Sequence, residues 1–157
     1  MLVVLNKEEF DDKKIIISDK TKNNIITNGF FYRIMYNDTF CCLNGIYIKF
    51  KLKNIRIEPY FNKLKCNFDK DDNNNIIDFL ISLERSILSN ITLNDYTPKF
   101  RIEEQLQQQY IKLYSNNENN FFITNEINIT LKISGIWSEQ NMYGITFRFF
   151  LPVSNIC

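Results

Sequence analysis

The sequence predicts a mainly β, β-rich α+β fold: a small antiparallel barrel with one mid-chain helix and a C-terminal closing hairpin. Three observations carry this. Period-two alternation of β-branched and aromatic residues recurs along most of the chain. One segment alone, "IIDFLISLERSILSNI" (76–91), repeats its apolar residues at helical spacing. The last alternating segments are separated by a short polar stretch, as in a hairpin. At 157 residues the chain suits a single domain, 1–157, with a sizeable core.

Taken in order, "KKIIISD" (13–19) is the first expected strand and "GFFYRIMYND" (29–38) the second. The second places Phe31, Arg33 and Met35 on one face and Tyr32, Ile34 and Tyr36 on the other. "NGIYIKFKLKNIRIEP" (44–59) opens with an Asn-Gly turn signal and runs as a long strand. Its alternation slips after Asn54, where a bulge or an edge is expected. "KLKCNF" (63–68) is a short strand, and the polar loop "DKDDNNN" (69–75) then offers N-caps to the helix at 76–91. "TPKFRIEEQLQQQYIKLY" (97–114) is ambiguous, with a helical middle between strand-like ends. A loop at 115–120 precedes the strand signals of 121–137, weakened near Asn125, and of 143–152, stopped by Pro152.

Several function classes fall away. With no histidine there is no His-based acid–base chemistry and no Ser-His or Cys-His nucleophile. Carboxylates fall in runs (Glu8, Glu9, Asp11 and Asp12; Asp69, Asp71 and Asp72; Glu103 and Glu104), the pattern of solvated loops and caps. No Gly-rich phosphate loop occurs. Cys41, Cys42, Cys66 and Cys157 lack metal-ligand spacing and read as reduced, small apolar residues. No run of about 18 apolar residues marks a membrane span, and the opening "MLVVLNKEEFDD" is not a signal sequence, so an intracellular protein is expected. The formal net charge of +1 advertises no nucleic-acid partner, so any basic footprint must be local.

Two local patterns are candidates. In "GIYIKFKLKNIRI", Tyr47, Lys49, Lys51 and Lys53 share one face of a strand. Alternate strand residues stand roughly 6.6 Å apart, close to the spacing of phosphates along an extended single strand. Lys63 and Lys65 could widen the patch; an ordinary solvent face guarding an edge strand explains the same lysines. In the closing hairpin Ile133, Ile145, Phe147 and Phe149 read as core, with Lys132 and Arg148 facing out. Strict alternation buries Trp137, whereas a bulge at Gly135 turns it out.

The stretch "INITLKISGIWSEQNMYGITFRFF" (127–150) resembles the closing strands of viral and phage single-stranded-DNA-binding proteins of the oligonucleotide/oligosaccharide-binding (OB) class. Similar asparagine-rich chains occur in large nucleocytoplasmic DNA viruses. The resemblance implies an OB-like barrel that binds single-stranded DNA without sequence preference in viral replication or repair, and performs no catalysis. On this reading Lys49, Lys51, Lys53, Lys63, Lys65, Lys132 and Arg148 neutralise phosphates, while Tyr47, Trp137 and Tyr143 stack bases. RNA stays open as a ligand and a homodimer as an assembly. No cofactor, metal or membrane is expected, and the setting is the host cytoplasm or a viral replication compartment. The alternative is a β-rich virion component whose aromatic hairpin is buried in an oligomer.

Overall fold

The computed structural model describes residues 4–114 and 121–152. The loop expected at 115–120 and Cys157 lie outside them. The chain folds into β1 (Leu5–Asn6), β2 (Ile15–Ile17), β3 (Thr21–Lys22), β4 (Phe30–Asp38), β5 (Cys41–Asn44), β6 (Ile46–Tyr60) and β7 (Lys63–Asn67). There follow α1 (Asn74–Ser89), β8 (Thr97–Lys99), α2 (Arg101–Gln107), β9 (Tyr110–Tyr114), β10 (Phe122–Glu139) and β11 (Met142–Phe150). The architecture is mainly β, and the long strands and the main helix fall close to where alternation and helical spacing put them.

Three expectations change. The segment 97–114 is both things its sequence suggests, a strand, a two-turn helix and a second strand, so the described residues form two α-helices and not one. The expected strand at 13–19 shrinks to Ile15–Ile17, because Asp12–Lys14 form a 3-10 turn capped by the Asp11 carboxylate. The pairing is not purely antiparallel, since β1 runs parallel to β6, and both β8 and β9 run parallel to β11.

The strands are joined in the order β1-β6-β7-β9-β11-β10-β4-β2, and β6 also pairs with β10. Each of β6, β7, β9, β11 and β10 is therefore bonded to two others of the set, in a ring of pairings. Their inward residues make the core: Ile46, Ile48, Phe50 and Leu52 of β6, Leu64 and Cys66 of β7, and Ile111 and Leu113 of β9, with Ile129, Leu131 and Ile133 of β10 and Phe149 of β11. Helix α1 adds Ile77, Leu80, Leu83 and Ile87 and lies against β6, β11 and α2. Burial pushes the Cys66 thiol up to about 12, which keeps it protonated and inert.

The slip expected at Asn54 is a defect shared by two strands. Partner positions stay in constant register on both sides, yet Asn54 and Asn125 both drop out of the pairing. Asn54 takes φ +54, which asparagine tolerates. Asn73, the residue before α1, repairs the gap with its buried side chain. It accepts from the Lys53 N–H (2.8 Å) and donates to the Lys53 and Asp69 carbonyls. Its side chain is thus spent on β6 and does not cap the helix.

Glu84 ties the two helices together. Its carboxylate is buried in α1 and accepts from the Ile102 and Glu103 N–H groups of α2 at 3.0 and 2.9 Å. Burial raises its pKa, although both bonds favour the ionised form. A raised folded-state pKa adds stability below the ordinary carboxylate value and loses it as pH rises through the shifted one. Glu84→Gln, uncharged at every pH, should therefore gain on the wild type as pH rises above 4.5. Urea unfolding from pH 4 to pH 7 measures this; a wild type that gains on the variant would mean the two N–H bonds outweigh burial.

Candidate nucleic-acid interface

The β10–β11 hairpin turns at Gln140 and Asn141, both at positive φ (47° and 62°), as a tight two-residue turn requires. Pairing runs in register as far as Ile133↔Phe147 and resumes at Gly135↔Thr146, so Ser134 is an extra residue in a bulge. A side chain at Gly135 would overlap the Phe31 ring and the Tyr32 carbonyl oxygen, so only glycine fits where β4 crosses. Beyond the bulge, Ile136 and Ile145 face the core, and Trp137 lies on the opposite side of the sheet.

Trp137 is nevertheless only 5% exposed. It sits across from Gly144, where even a Cβ would come within 2.9 Å of the indole. The Arg101 guanidinium covers the ring at 4.5 Å, and the indole N–H has no acceptor among the described residues. Trp137 is therefore turned out of the core and then roofed over. Tyr143 is packed in the core at 9% exposure, so the structure does not present it as the stacking platform the sequence reading made of it.

The lysine stripe is exposed as expected, but it is interleaved with acids. Lys51 Nζ sits 2.6 Å from the Glu126 carboxylate on β10. Lys51 and Lys53 share a hollow with Asp71 and Asp72, and Lys49 borders one with Glu8. Lys132 stands between Tyr47 and Arg148 across three strands, its ammonium 5.4 Å from the half-buried Tyr47 ring.

A richer face lies on β6, β7 and β9, around Lys63 and Lys65. Its side chains form three rows. Tyr60 pairs with Lys63, whose ammonium is 4.6 Å from the Tyr114 ring, and Tyr114 pairs with Phe150. Next come Glu58, Lys65 and Lys112, and then Arg56, Asn67 and Tyr110. Each tyrosine carries a cation over its ring: Lys112 at 5.3 Å from Tyr60, Lys65 at 4.7 Å from Tyr110, and Arg148 at 4.9 Å on Tyr114. Glu58 is the one acid in these rows, 3.9 Å from Lys65.

The sequence reading missed Arg56, Tyr60, Arg101, Tyr110, Lys112 and Tyr114. "YIKLY" has the same alternation as the lysine stripe and held the signal for three of them, since it sets Tyr110, Lys112 and Tyr114 on one face of β9.

Beside this face the sheet parts. β11 pairs with β8 at residues 142–144 and with β9 only at Phe149 and Phe150. Between them residues 145–148 have no strand partner on that edge among the described residues. The gap is a cleft of about 450 Å³ whose charged lining residues are Lys63, Arg101, Lys112 and Arg148, with no acid.

No cluster of three or more Cys, Asp or Glu placed to hold a metal occurs among the described residues. No helix there is long and apolar enough to cross a membrane. No protein-family model, curated protein or solved structure matches the chain.

The bulge yields a direct test. Gly135→Ala forces the Phe31 ring or the β4 backbone aside, at a cost of about 1–3 kcal/mol for overpacking. Urea unfolding should show that loss together with a red shift of the sole tryptophan's emission. An unchanged midpoint and spectrum would mean β4 does not close on the bulge.

Proposed function

We propose that this chain is a non-enzymatic, sequence-nonspecific single-stranded DNA-binding protein with an OB-like barrel. Its viral setting, in DNA replication or repair, rests on the resemblance of residues 127–150. The barrel reading is supported by the five-strand ring of pairings, with helices inserted between its second and third strands. OB barrels bind oligonucleotides on the face of strands 2 and 3 and on the loop between strands 1 and 2. In the ring those strands are β7 and β9, and the loop carries Phe61, exposed at 88%.

The observation that carries the proposal is the set of rows on that face. Three tyrosines and the cations Arg56, Lys63, Lys65, Lys112 and Arg148 alternate at strand spacing, with one acid among them. Single-stranded nucleic acid needs this combination of flat rings for bases and cations for phosphates. The strand then crosses β7 and β9 and continues past Arg148 to Lys132 and Tyr47. RNA offers the same phosphates and π-faces. The second reading, a β-rich virion interaction protein, expects its aromatic hairpin to be buried in an oligomer, but Trp137, Tyr143 and Phe149 are already buried within the chain. It draws instead on exposed Phe121 just before β10 and Ile123 within it, and it calls for an oligomer indifferent to DNA.

Polarization titration of labelled oligo-dT at two salt concentrations tests the proposal. Affinity should fall steeply with salt, with a slope of about −0.7 per phosphate neutralised. Tyr110→Ala and Tyr114→Ala should each cost about 1–3 kcal/mol of binding. Lys65→Gln and Lys112→Gln should flatten the salt slope, and Lys51→Gln, which removes a lysine already paired with Glu126, should change it less. No binding at low salt, or binding without a salt slope, ends the proposal, and a stable assembly in light scattering then favours the interaction protein.

A further inference from the structure

The cleft between β9 and β11 is not needed to hold a strand on the face beside it, yet its chemistry is that of a ligand site. Four cations border it and no carboxylate does. Its volume of about 450 Å³ falls within the range of small-ligand pockets. Apolar side chains, Ile145, Phe147 and Phe149, line it as well.

Trp137 supplies the second, independent observation. It also lines the cleft, is 95% buried, and holds an indole N–H with no acceptor among the described residues. A buried donor left unpaired carries a desolvation penalty that a ligand acceptor can remove. The group over the indole is Arg101, an exposed residue with no carboxylate in ion-pair reach among the described residues. Its neighbours on the helices are differently placed, for Arg85 is held by both carboxylate oxygens of Glu103. Arg101 thus rests on a π-face while its charge goes unmatched.

We propose that the cleft seats one nucleotide unit of the bound strand, its phosphate among Arg101, Lys112 and Arg148 and its base against Trp137. Arg101 leaves the indole for the phosphate, and the base takes its place on the ring. The phosphate matches the Arg101 charge and the base covers the indole face that Arg101 vacates, while an oxygen of the same unit accepts from the in-plane Nε1–H, which stacking alone would leave unpaired. This inference rests on the single-strand reading above.

Trp137 is the sole tryptophan, so its emission reports on the cleft alone. The full chain is titrated with oligo-dT while emission and the polarization of a labelled strand are followed together. Both should saturate at the same concentration. Thymidine monophosphate should produce the same emission change at higher concentration, and inorganic phosphate at matched ionic strength should not. Arg101→Gln should weaken strand binding about tenfold, the scale of one charge-assisted contact, and shrink the emission change. Circular dichroism and urea unfolding should show that this exposed substitution leaves the fold intact.

Polarization binding with silent Trp137 emission overturns the cleft and leaves the single-strand proposal standing. An equal response to inorganic phosphate overturns it too, since a bare anion would then suffice. If no strand binds, the single-strand proposal falls and thymidine monophosphate decides the cleft: an emission change retains a nucleotide site, and silence removes it.

Discussion

Strand β10 has to satisfy two edges over 18 residues, and no single partner is long enough to serve either side throughout. On one edge β6 pairs as far as Ile133 and β4 takes over at Gly135; on the other β11 runs from residue 130 to the turn. The handover crowds three backbones into one place, and glycines make the room. A side chain on Gly135 would strike β4, and one on Gly45, at φ +94, would approach the Ile133 carbonyl to 2.9 Å. The extra residue Ser134 absorbs the change of direction. Beyond it β10 is inverted, so that Trp137 stands on the outer side of the sheet, whereas β11 keeps its alternation and puts Tyr143 in with Ile145 and Phe149. The chemistry available at the hairpin is thus fixed by a packing problem at a strand junction.

Charge follows a second logic, invisible in the total of +1. On β6 the lysines alternate in sequence but have acids from elsewhere beside them: Glu126 pairs with Lys51 across the ladder, and Asp71 and Asp72 share a hollow with Lys51 and Lys53. On β7 and β9 Lys63 and Lys112 meet tyrosines instead, and Lys65 has both Tyr110 and the lone acid of the rows, Glu58 at 3.9 Å. An ion pair between exposed side chains leaves little field for a ligand, whereas a ring beneath an ammonium leaves its full charge in place. Two stripes with the same spacing therefore differ in what they offer a polyanion.

Much of this fold was legible because periodicity reports burial directly. The alternation in 29–38, 44–59 and 121–137, and the helical spacing in 76–91, survive as β4, β6, β10 and α1. What the sequence could not carry was partnership. That Lys51 faces Glu126, 75 positions away, is a matter of register between strands, and no local pattern encodes it. The ring of pairings and the two parallel neighbours of β11 are of the same kind. The bulge at Gly135 was legible as an alternative, but its outcome depends on Phe31, Gly144 and Arg101, each brought from another strand or helix. Tyr110 and Tyr114 were a different failure: their alternation lay in plain view, hidden only because helical residues precede them.

The tyrosine rows raise an energetic question, because the rings a base would stack on already carry cations. Exposed cation–π contacts contribute about 0.5–1 kcal/mol each, whereas a stacked base contributes about 1–3 kcal/mol. On the proposed reading, an arriving strand would not simply evict the ammonium groups; it would bring phosphates that accept them a few ångströms away. The exchange replaces a weak contact with a stronger one on the ring and adds a charge-assisted contact on the cation. The rings and side chains of this face are held in place by one another, which would lower the ordering cost of such binding. A surface whose cations and rings satisfy each other only partly is stable alone and still gains from any ligand that separates them.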